Sequence, residues 1–420
     1  MASFKITGQK TLNGNIIVGG AKNSALKILQ AAILAESPST ISNVPNILDI
    51  NTSILILESV GAKVSFDKNI IKIDPTGINS SHPDEKLMKK LRGSIVLIGA
   101  LLSKFGQAVF SEPGGCLIGS RPIDDHLDLF AQLGVKISQD GDTYRLDGFP
   151  KAGKVVLNKM SVTTTENAIL ATVFSKGKTE IHVAAAEPEI ADLIDYLNKM
   201  GAKISGSGTH VISVEGVEKL SGVEYEVMPD RIEAGTFIIA AVATNSELEI
   251  SPVIADNMSL FLKKLADVGA KYEIIQKDGS DFIRTFHHKG LIAQSIDTRP
   301  YPGFSTDLQS PYAVLMTQAQ GKSNIFETMF EGRFAYMRQL QLLGGKAEII
   351  NSHEFVIDGP AQLVGATISS SDIRGGVALV IAALVAQGET MITDIEYIDR
   401  GYEKVDEKLR SVGADIQRIS

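Results

Sequence analysis

The apolar residues of this chain fall into two kinds of helical segment that alternate along its length. Segments of the first kind, such as Ile123 to Leu133 and Ile190 to Met200, repeat apolar positions at three- and four-residue spacing and predict helices with one buried face. Segments of the second kind are apolar nearly all round: Ala25–Leu34, Ile95–Leu102, Ala168–Phe174, Phe237–Ala243, Tyr312–Met316 extending to Ala319, and Val377–Ala386. A helix without a polar face has to be covered on every side.

Between these helices runs a repeat. Six times an amphipathic segment closes on an apolar residue, a glycine and a short pair: Val60-Gly61-Ala62-Lys63, Leu133-Gly134-Val135-Lys136, Met200-Gly201-Ala202-Lys203, Val268-Gly269-Ala270-Lys271, Leu343-Gly344-Gly345-Lys346 and Val412-Gly413-Ala414-Asp415. The spacing is roughly seventy residues, longer than that of common solenoids. Each glycine stands where a helix should end and a strand begin. Alternating strand pairs follow, as in Val135–Ser138 with Tyr144–Asp147, and Ala347–Ile350 with Phe355–Asp358, each around a turn cluster. The sixth repeat lacks its second strand because the chain stops at Ser420, and Phe4-Lys5-Ile6-Thr7-Gly8 has the missing pattern.

The fold class that follows is α/β: two inside-out α/β domains, each of three repeated β-α-β-α-β-β-type units, with three buried helices in the middle of each. This differs from a doubly wound sheet, whose helices lie outside. The expected domains are residues 22–229, and residues 1–21 with 230–420, so that the chain crosses between them near Gly20 and near Pro229.

Composition narrows the class. A 420-residue chain with 44% hydrophobic and 21% charged residues describes a soluble globular protein, and one cysteine excludes an internal disulfide framework and points to the cytoplasm. The apolar run Val377 to Ala386 is too short to span a membrane. A net charge of −8 argues against nucleic-acid binding. An anionic ligand would therefore be held by a few locally gathered basic residues.

Such residues gather where the all-apolar helices begin. Lys22 and Asn23 precede the first, Arg92 the second, Ser161 and Thr163 the third, Arg231 the fourth, Asp307 the fifth and Arg374 the sixth. Helix N-termini attract anions. Arg231 beside Asp230 reads best as a structural ion pair, whereas Lys22 and Arg374, next to Gly-Gly and small residues, favour an anion site. Asp307 reads first as an N-cap, with a base that takes a hydroxyl proton as the alternative. Arg400 lies on a loop before the last helix. His287-His288 has no partner at metal-ligand spacing, and no Walker or dinucleotide-type glycine loop is present. No metal or cofactor is expected.

The remaining signal is Ser111-Glu112-Pro113-Gly114-Gly115-Cys116-Leu117-Ile118-Gly119-Ser120-Arg121-Pro122, which holds the single cysteine. Glycines bring bare N–H groups close to a ligand, and a nearby cation favours thiolate. A lone buried cysteine acting as a small hydrophobe is the bland alternative.

This stretch, together with Gly20-Ala21-Lys22-Asn23-Ser24-Ala25, Glu187-Pro188-Glu189-Ile190, Pro229-Asp230-Arg231-Ile232-Glu233-Ala234-Gly235-Thr236, Tyr301-Pro302-Gly303-Phe304 and Ile398-Asp399-Arg400-Gly401-Tyr402-Glu403, resembles the UDP-N-acetylglucosamine 1-carboxyvinyltransferase family of enolpyruvyl transferases over the whole chain. The resemblance implies a metal-free addition–elimination between phosphoenolpyruvate and the 3′-hydroxyl of UDP-N-acetylglucosamine, the first committed step toward peptidoglycan. By motif it implies that Lys22, Arg121 and Arg400 bind phosphoenolpyruvate, with Arg374 and Arg92 supporting the anionic substrates and Asn23 contacting the sugar. Cys116 would donate a proton to C3 or assist product release, on a loop that is also the family's lid, and Asp307 would be the base. Arg121, Pro122, Ile123 and Asp124 would line the uridine site, Ser161, Val162 and Thr163 the diphosphate, and Met329 and Arg333 the amino sugar.

The chain departs from the family pattern at Thr163, where glycine is usual, and at Ala186, Ala335-Tyr336, Tyr397 and Asn51. Two alternatives follow: a non-catalytic paralogue that binds the sugar nucleotide, and the sister transferase acting on shikimate 3-phosphate, which lacks the Gly-Gly-Cys lid.

Overall fold

The computed structural model describes residues 2–114, 122–277 and 280–419. Cys116 and Arg121 lie outside the described residues. The described chain forms two compact units, one of residues 20–114 and 122–228 and the other of residues 2–19 and 229–419.

In the first unit the central helices are Lys22–Ala31, Leu97–Phe105 and Val162–Thr172. Their side chains are buried around almost the whole circumference, from Ala25, Ile28 and Leu29 to Ile98 and Leu101 and to Ile169 and Leu170. The helices pack closely enough that Gly99 is required: a Cβ there would lie 2.6 Å from the carbonyl oxygen of Asn167. The Asn167 side chain also accepts from Gly99 N at 2.7 Å and donates to Ile95 O at 2.9 Å, stitching two helix backbones together. Around this core lie two four-stranded sheets and a three-stranded one. One sheet runs Glu224–Glu226, Ser39–Ser42, Ile70–Asp74, Lys63–Asp67, and another Lys203–Ser205, Val211–Glu215, Lys178–His182, Lys154–Val156. The third runs Gln107–Ser111, Thr143–Asp147, Lys136–Asp140.

The second unit repeats the plan around Arg231–Ala243, Gln309–Met316 and Ile373–Val385. Its sheets centre on the strands Glu247–Val253, Ala319–Phe326 and Glu389–Thr393. The N-terminal strand Ser3–Thr7 lies between Glu389–Thr393 and Asp415–Ile419, antiparallel to both, with Phe4 opposite Ile392 on one side and Arg418 on the other. It fills the place that the sixth repeat leaves open.

Helix limits differ from the sequence expectation in one consistent way. The central helices start earlier than their apolar runs, because polar first turns at Lys22, Val162-Thr163-Thr164, Arg231 and Arg374 are already helical. The exception is Arg92–Val96, a 3₁₀ turn that precedes Leu97–Phe105. The fifth helix does not extend to Ala319. It ends at Met316, where the Thr317 hydroxyl bonds Val314 O at 2.7 Å, and Ala319 opens a strand.

The repeat glycines have a backbone reason. Gly61, Gly134, Gly201, Gly269, Gly344 and Gly413 take φ of 105°, 78°, 109°, 94°, 94° and 99°. A side chain in this region clashes with its own backbone. At Gly201 an added Cβ would meet nothing within 4 Å, whereas at Gly61 it would lie 2.5 Å from Gly77 O. Gly201→Ala is therefore expected to cost only the backbone penalty, about 1–2 kcal/mol, and Gly61→Ala about 1–3 kcal/mol more. Urea unfolding of the two variants measures the difference, and equal losses would contradict this assignment.

Candidate functional site

In the second unit the structure brings three of the sequence-selected residues together. Asp307 sits in the 3₁₀ turn Thr306–Leu308, which leads into Gln309–Met316. Its carboxylate accepts from Arg333 Nη2 at 2.6 Å on one oxygen, and from Arg374 Nε at 3.1 Å and Nη2 at 2.9 Å on the other. The N-cap reading of Asp307 is corrected: the Ser305 hydroxyl caps this turn by accepting from Asp307 N at 3.3 Å. The carboxylate is left to the arginines.

Arg374 occupies the first turn of Ile373–Val385. The Asp372 carboxylate caps that helix, accepting from Arg374 N at 3.0 Å and Gly375 N at 2.8 Å, so the guanidinium is directed to Asp307. It also stacks over the Tyr402 ring at 5.3 Å. Arg333 lies at 5.5 Å over Phe330 and donates to the Thr306 hydroxyl. Both arginine side chains are 5% exposed, against 22% for Asp307. Burial by itself would raise the Asp307 carboxyl, but the two guanidinium groups outweigh it and hold the group far below the usual carboxylate range. The Asp307 carboxylate in turn raises Arg374 above its ordinary value against the opposing effect of burial.

Two donors in this cluster have no hydrogen-bond partner among the described residues: Arg333 Nε and Arg374 Nη1. Buried donors left unpaired are costly, and oxygens of an anionic ligand would satisfy them. Met329 N donates to Glu327 Oε1 at 2.8 Å, and Arg400 is half-buried directly after the short helix Glu396–Asp399. Tyr336, one of the departures, is buried with its hydroxyl 3.3 Å from Gln309 Oε1.

In the first unit Lys22 opens the helix Lys22–Ala31 and pairs with Asp49 at 2.7 Å, both side chains being buried. Asn23 follows, half-buried, and Ser24 hydrogen-bonds the buried Asp192 carboxylate. Arg92 donates to Pro113 O at 2.9 Å and Pro122 O at 3.3 Å, and lies 3.7 Å from Glu112. One guanidinium thus holds the two chain ends that flank residues 115–121. Beyond Pro122, which is exposed, Ile123 is buried and Asp124 is exposed at the start of the helix Asp124–Gln132.

Ser161 caps Val162–Thr172, its hydroxyl accepting from Thr164 N at 3.3 Å, and Val162 is half-buried. Thr163 Oγ1 lies 3.3 Å from His126 Nε2, and His126 Nδ1 lies 2.9 Å from Asn167 Nδ2. Asn167 donates there, so Nε2 carries the proton that reaches Thr163. The Thr163 hydroxyl is therefore tied to a buried histidine. Sequence reasoning passed over His126, although it stands four residues after Pro122 on the helix that Asp124 begins. It also passed over Glu327 and Thr306, which touch the Asp307 cluster.

The family model for EPSP synthase (3-phosphoshikimate 1-carboxyvinyltransferase) matches residues 6–409. The chain belongs to this family, the enolpyruvyl transferases. Within it, a protein of Caldanaerobacter subterraneus subsp. tengcongensis named UDP-N-acetylglucosamine 1-carboxyvinyltransferase 3 is 43% identical over 420 residues, covering 100% of both chains. UDP-N-acetylglucosamine 1-carboxyvinyltransferase of Halothermothrix orenii is likewise 43% identical over 420 residues and 100% of both chains. Among solved structures, the enolpyruvyl transferase NikO from Streptomyces tendae shares the fold, with a TM-score of 0.89 at 23% identity, over 99% of this chain and 98% of that one.

Burial, with the charges of Arg92 and Lys27, pushes the His126 imidazole down to about 3. An unfolded histidine titrates near ~6.5, so between these values only the unfolded chain binds the proton, and stability is lost as pH falls. The loss approaches about 1.4 kcal/mol per pH unit. His126→Gln removes this contribution. Between pH 6.5 and 5 the variant is expected to lose about 1–2 kcal/mol less than the wild type, as chemical denaturation at the two pH values would show.

Proposed function

We propose that this protein transfers the enolpyruvyl group of phosphoenolpyruvate to the 3′-hydroxyl of UDP-N-acetylglucosamine, releasing phosphate, as an entry step to peptidoglycan. The observation that carries the reading is Asp307 held between Arg333 and Arg374, each of which keeps a buried donor unpaired. The full-length relatives, which bear the name of this activity, support it.

The sugar hydroxyl gives its proton to the Asp307 carboxylate as its oxygen bonds to C2 of phosphoenolpyruvate, while C3 takes a proton from the Cys116 thiol. Phosphate then leaves C2 with the electron pair of the C–O bond, and C3 returns a proton to restore the double bond. No covalent enzyme intermediate is needed. With two guanidinium groups on it, Asp307 is ionised and a weak base. An anionic substrate that draws arginine charge away raises its proton affinity when the hydroxyl arrives.

Lys22, Asn23, Arg121, Arg374 and Arg400 form the phosphoenolpyruvate set, their positive charge stabilising charge that develops in the reaction. The sugar nucleotide takes Asn23, Arg92, Arg121, Pro122, Ile123, Asp124, Ser161, Val162, Thr163, Asp307, Met329 and Arg333. Arg92 bonds Pro113 O and Pro122 O. The unit of residues 20–114 and 122–228 and the unit built from 2–19 and 229–419 serve as the two domains of the enzyme. Both substrates are small molecules of the cytoplasm, and among the described residues no helix is long and apolar enough to cross a membrane.

Phosphate release from phosphoenolpyruvate in the presence of UDP-N-acetylglucosamine is the direct test. Well-folded protein that releases none at saturating substrate overturns the reading, and turnover with shikimate 3-phosphate alone replaces it with the sister activity. Asp307→Asn keeps an acceptor for the arginines but removes the base. It is expected to lower kcat about 10²–10⁴-fold while changing the KM for phosphoenolpyruvate far less; equal losses in both would assign Asp307 to substrate binding.

A further inference from the structure

Glu327 follows the strand Ala319–Phe326 and is fully buried. A carboxylate withdrawn from water has to be met by donors. Its Oε1 accepts from the Thr298 hydroxyl at 2.8 Å, from Met329 N at 2.8 Å and from Phe330 N at 3.2 Å. Its Oε2 accepts from the Thr306 hydroxyl at 2.7 Å. These donors come from three segments: the chain after the short strand Ile296–Asp297, the turn that carries Asp307, and the stretch that leads to Arg333.

The direction of the Thr306 bond matters most. Having given its proton to Glu327, this hydroxyl offers only lone pairs on its other side, and there Arg333 Nη1 donates to it. Arg333 Nη2 meanwhile lies 2.6 Å from Asp307 Oδ1. The polarity runs in one sense from Arg333 through Thr306 to Glu327. The other titratable groups nearby are spoken for: His353 Nδ1 donates to the Glu327 backbone carbonyl at 2.7 Å, and the Tyr336 hydroxyl lies 3.3 Å from Gln309 Oε1.

We propose that Glu327 is a positioning residue of the transferase: by orienting the Thr306 hydroxyl and anchoring Met329 and Phe330, it sets Arg333 against Asp307 and shapes the side that receives the sugar. The inference rests on the functional reading above. Glutamine is nearly the same size but has one acceptor. Its oxygen stays with Thr298 and the two amides, and its NH₂ faces Thr306. The hydroxyl proton then loses its acceptor and turns toward a guanidinium that already donates.

Glu327→Gln is therefore expected to raise the KM for UDP-N-acetylglucosamine and lower kcat, each by about tenfold or more, the loss of a hydrogen bond to a charged group. The KM for phosphoenolpyruvate should stay within about twofold. Thr306→Val, which removes the hydroxyl and leaves the Glu327 amide bonds, should reproduce the effect; Thr306→Ser should restore wild-type kinetics. The double variant Glu327→Gln/Thr306→Val should be no worse than either single one, because both cut the same connection. Additive losses, or a lowered Tm with wild-type kinetics, would overturn the proposal. Wild-type turnover decides the functional reading separately. If the wild type proves inactive, the crystal structure of Glu327→Gln decides this inference: Arg333 displaced from Thr306 supports it, and unchanged geometry overturns it.

Discussion

Six helices without a polar face impose the central constraint on this molecule. Each has to be surrounded, and the two units solve the problem identically, by clustering three such helices and wrapping sheets and amphipathic helices around them. The side of a central helix is then closed to chemistry, because any polar group there would have to be satisfied within the core. The helix ends are different. Their first N–H groups need partners, and the residues that supply them can also meet a ligand.

Lys22, Asp307 and Arg374 stand at such ends, and their charges are balanced. Lys22 is met by Asp49, and Arg333 and Arg374 share Asp307. A buried charge without a counter-ion would be strongly destabilising, so these pairs hold the cations in place at little net gain in stability. For the proposed function the consequence is an exchange of partners. An anionic substrate can take over part of the acid's role at a cation already oriented for it, and the arginine donors left unpaired favour that exchange. In the proposed reaction, the acid freed in part by this exchange becomes a better base.

Much of this plan is legible in the sequence because it rests on local rules. The six glycines that close the amphipathic helices take left-handed φ, and that need is visible as a repeated residue. The all-apolar segments identify the buried helices directly. Strand Ser3–Thr7 could be assigned to the last repeat because its alternation matched the pattern that repeat lacks. Lys22, Arg374 and Asp307 stood out for the same reason: charged residues at the start of apolar helices ask for an explanation. Asp307 nevertheless read first as a helix cap, since spacing cannot tell which of Ser305 and Asp307 turns back to the backbone.

The sequence by itself therefore determined the repeat, the buried helices and the gathering of charge at their first turns, all of which depend on neighbours a few residues apart. Only the tertiary structure decided the partners. Asp307 meets arginines 26 and 67 positions away, Glu327 meets Thr298 and Thr306, 29 and 21 positions away, and His126 meets Asn167, 41 positions away. The buried Lys27–Glu166 pair, at 2.9 Å, joins two central helices whose sequences give no sign of facing charges. Hydrogen bonds and ion pairs between distant segments have no periodicity in the chain. They exist because packing brings the groups together and burial makes it costly to leave any of them unmatched.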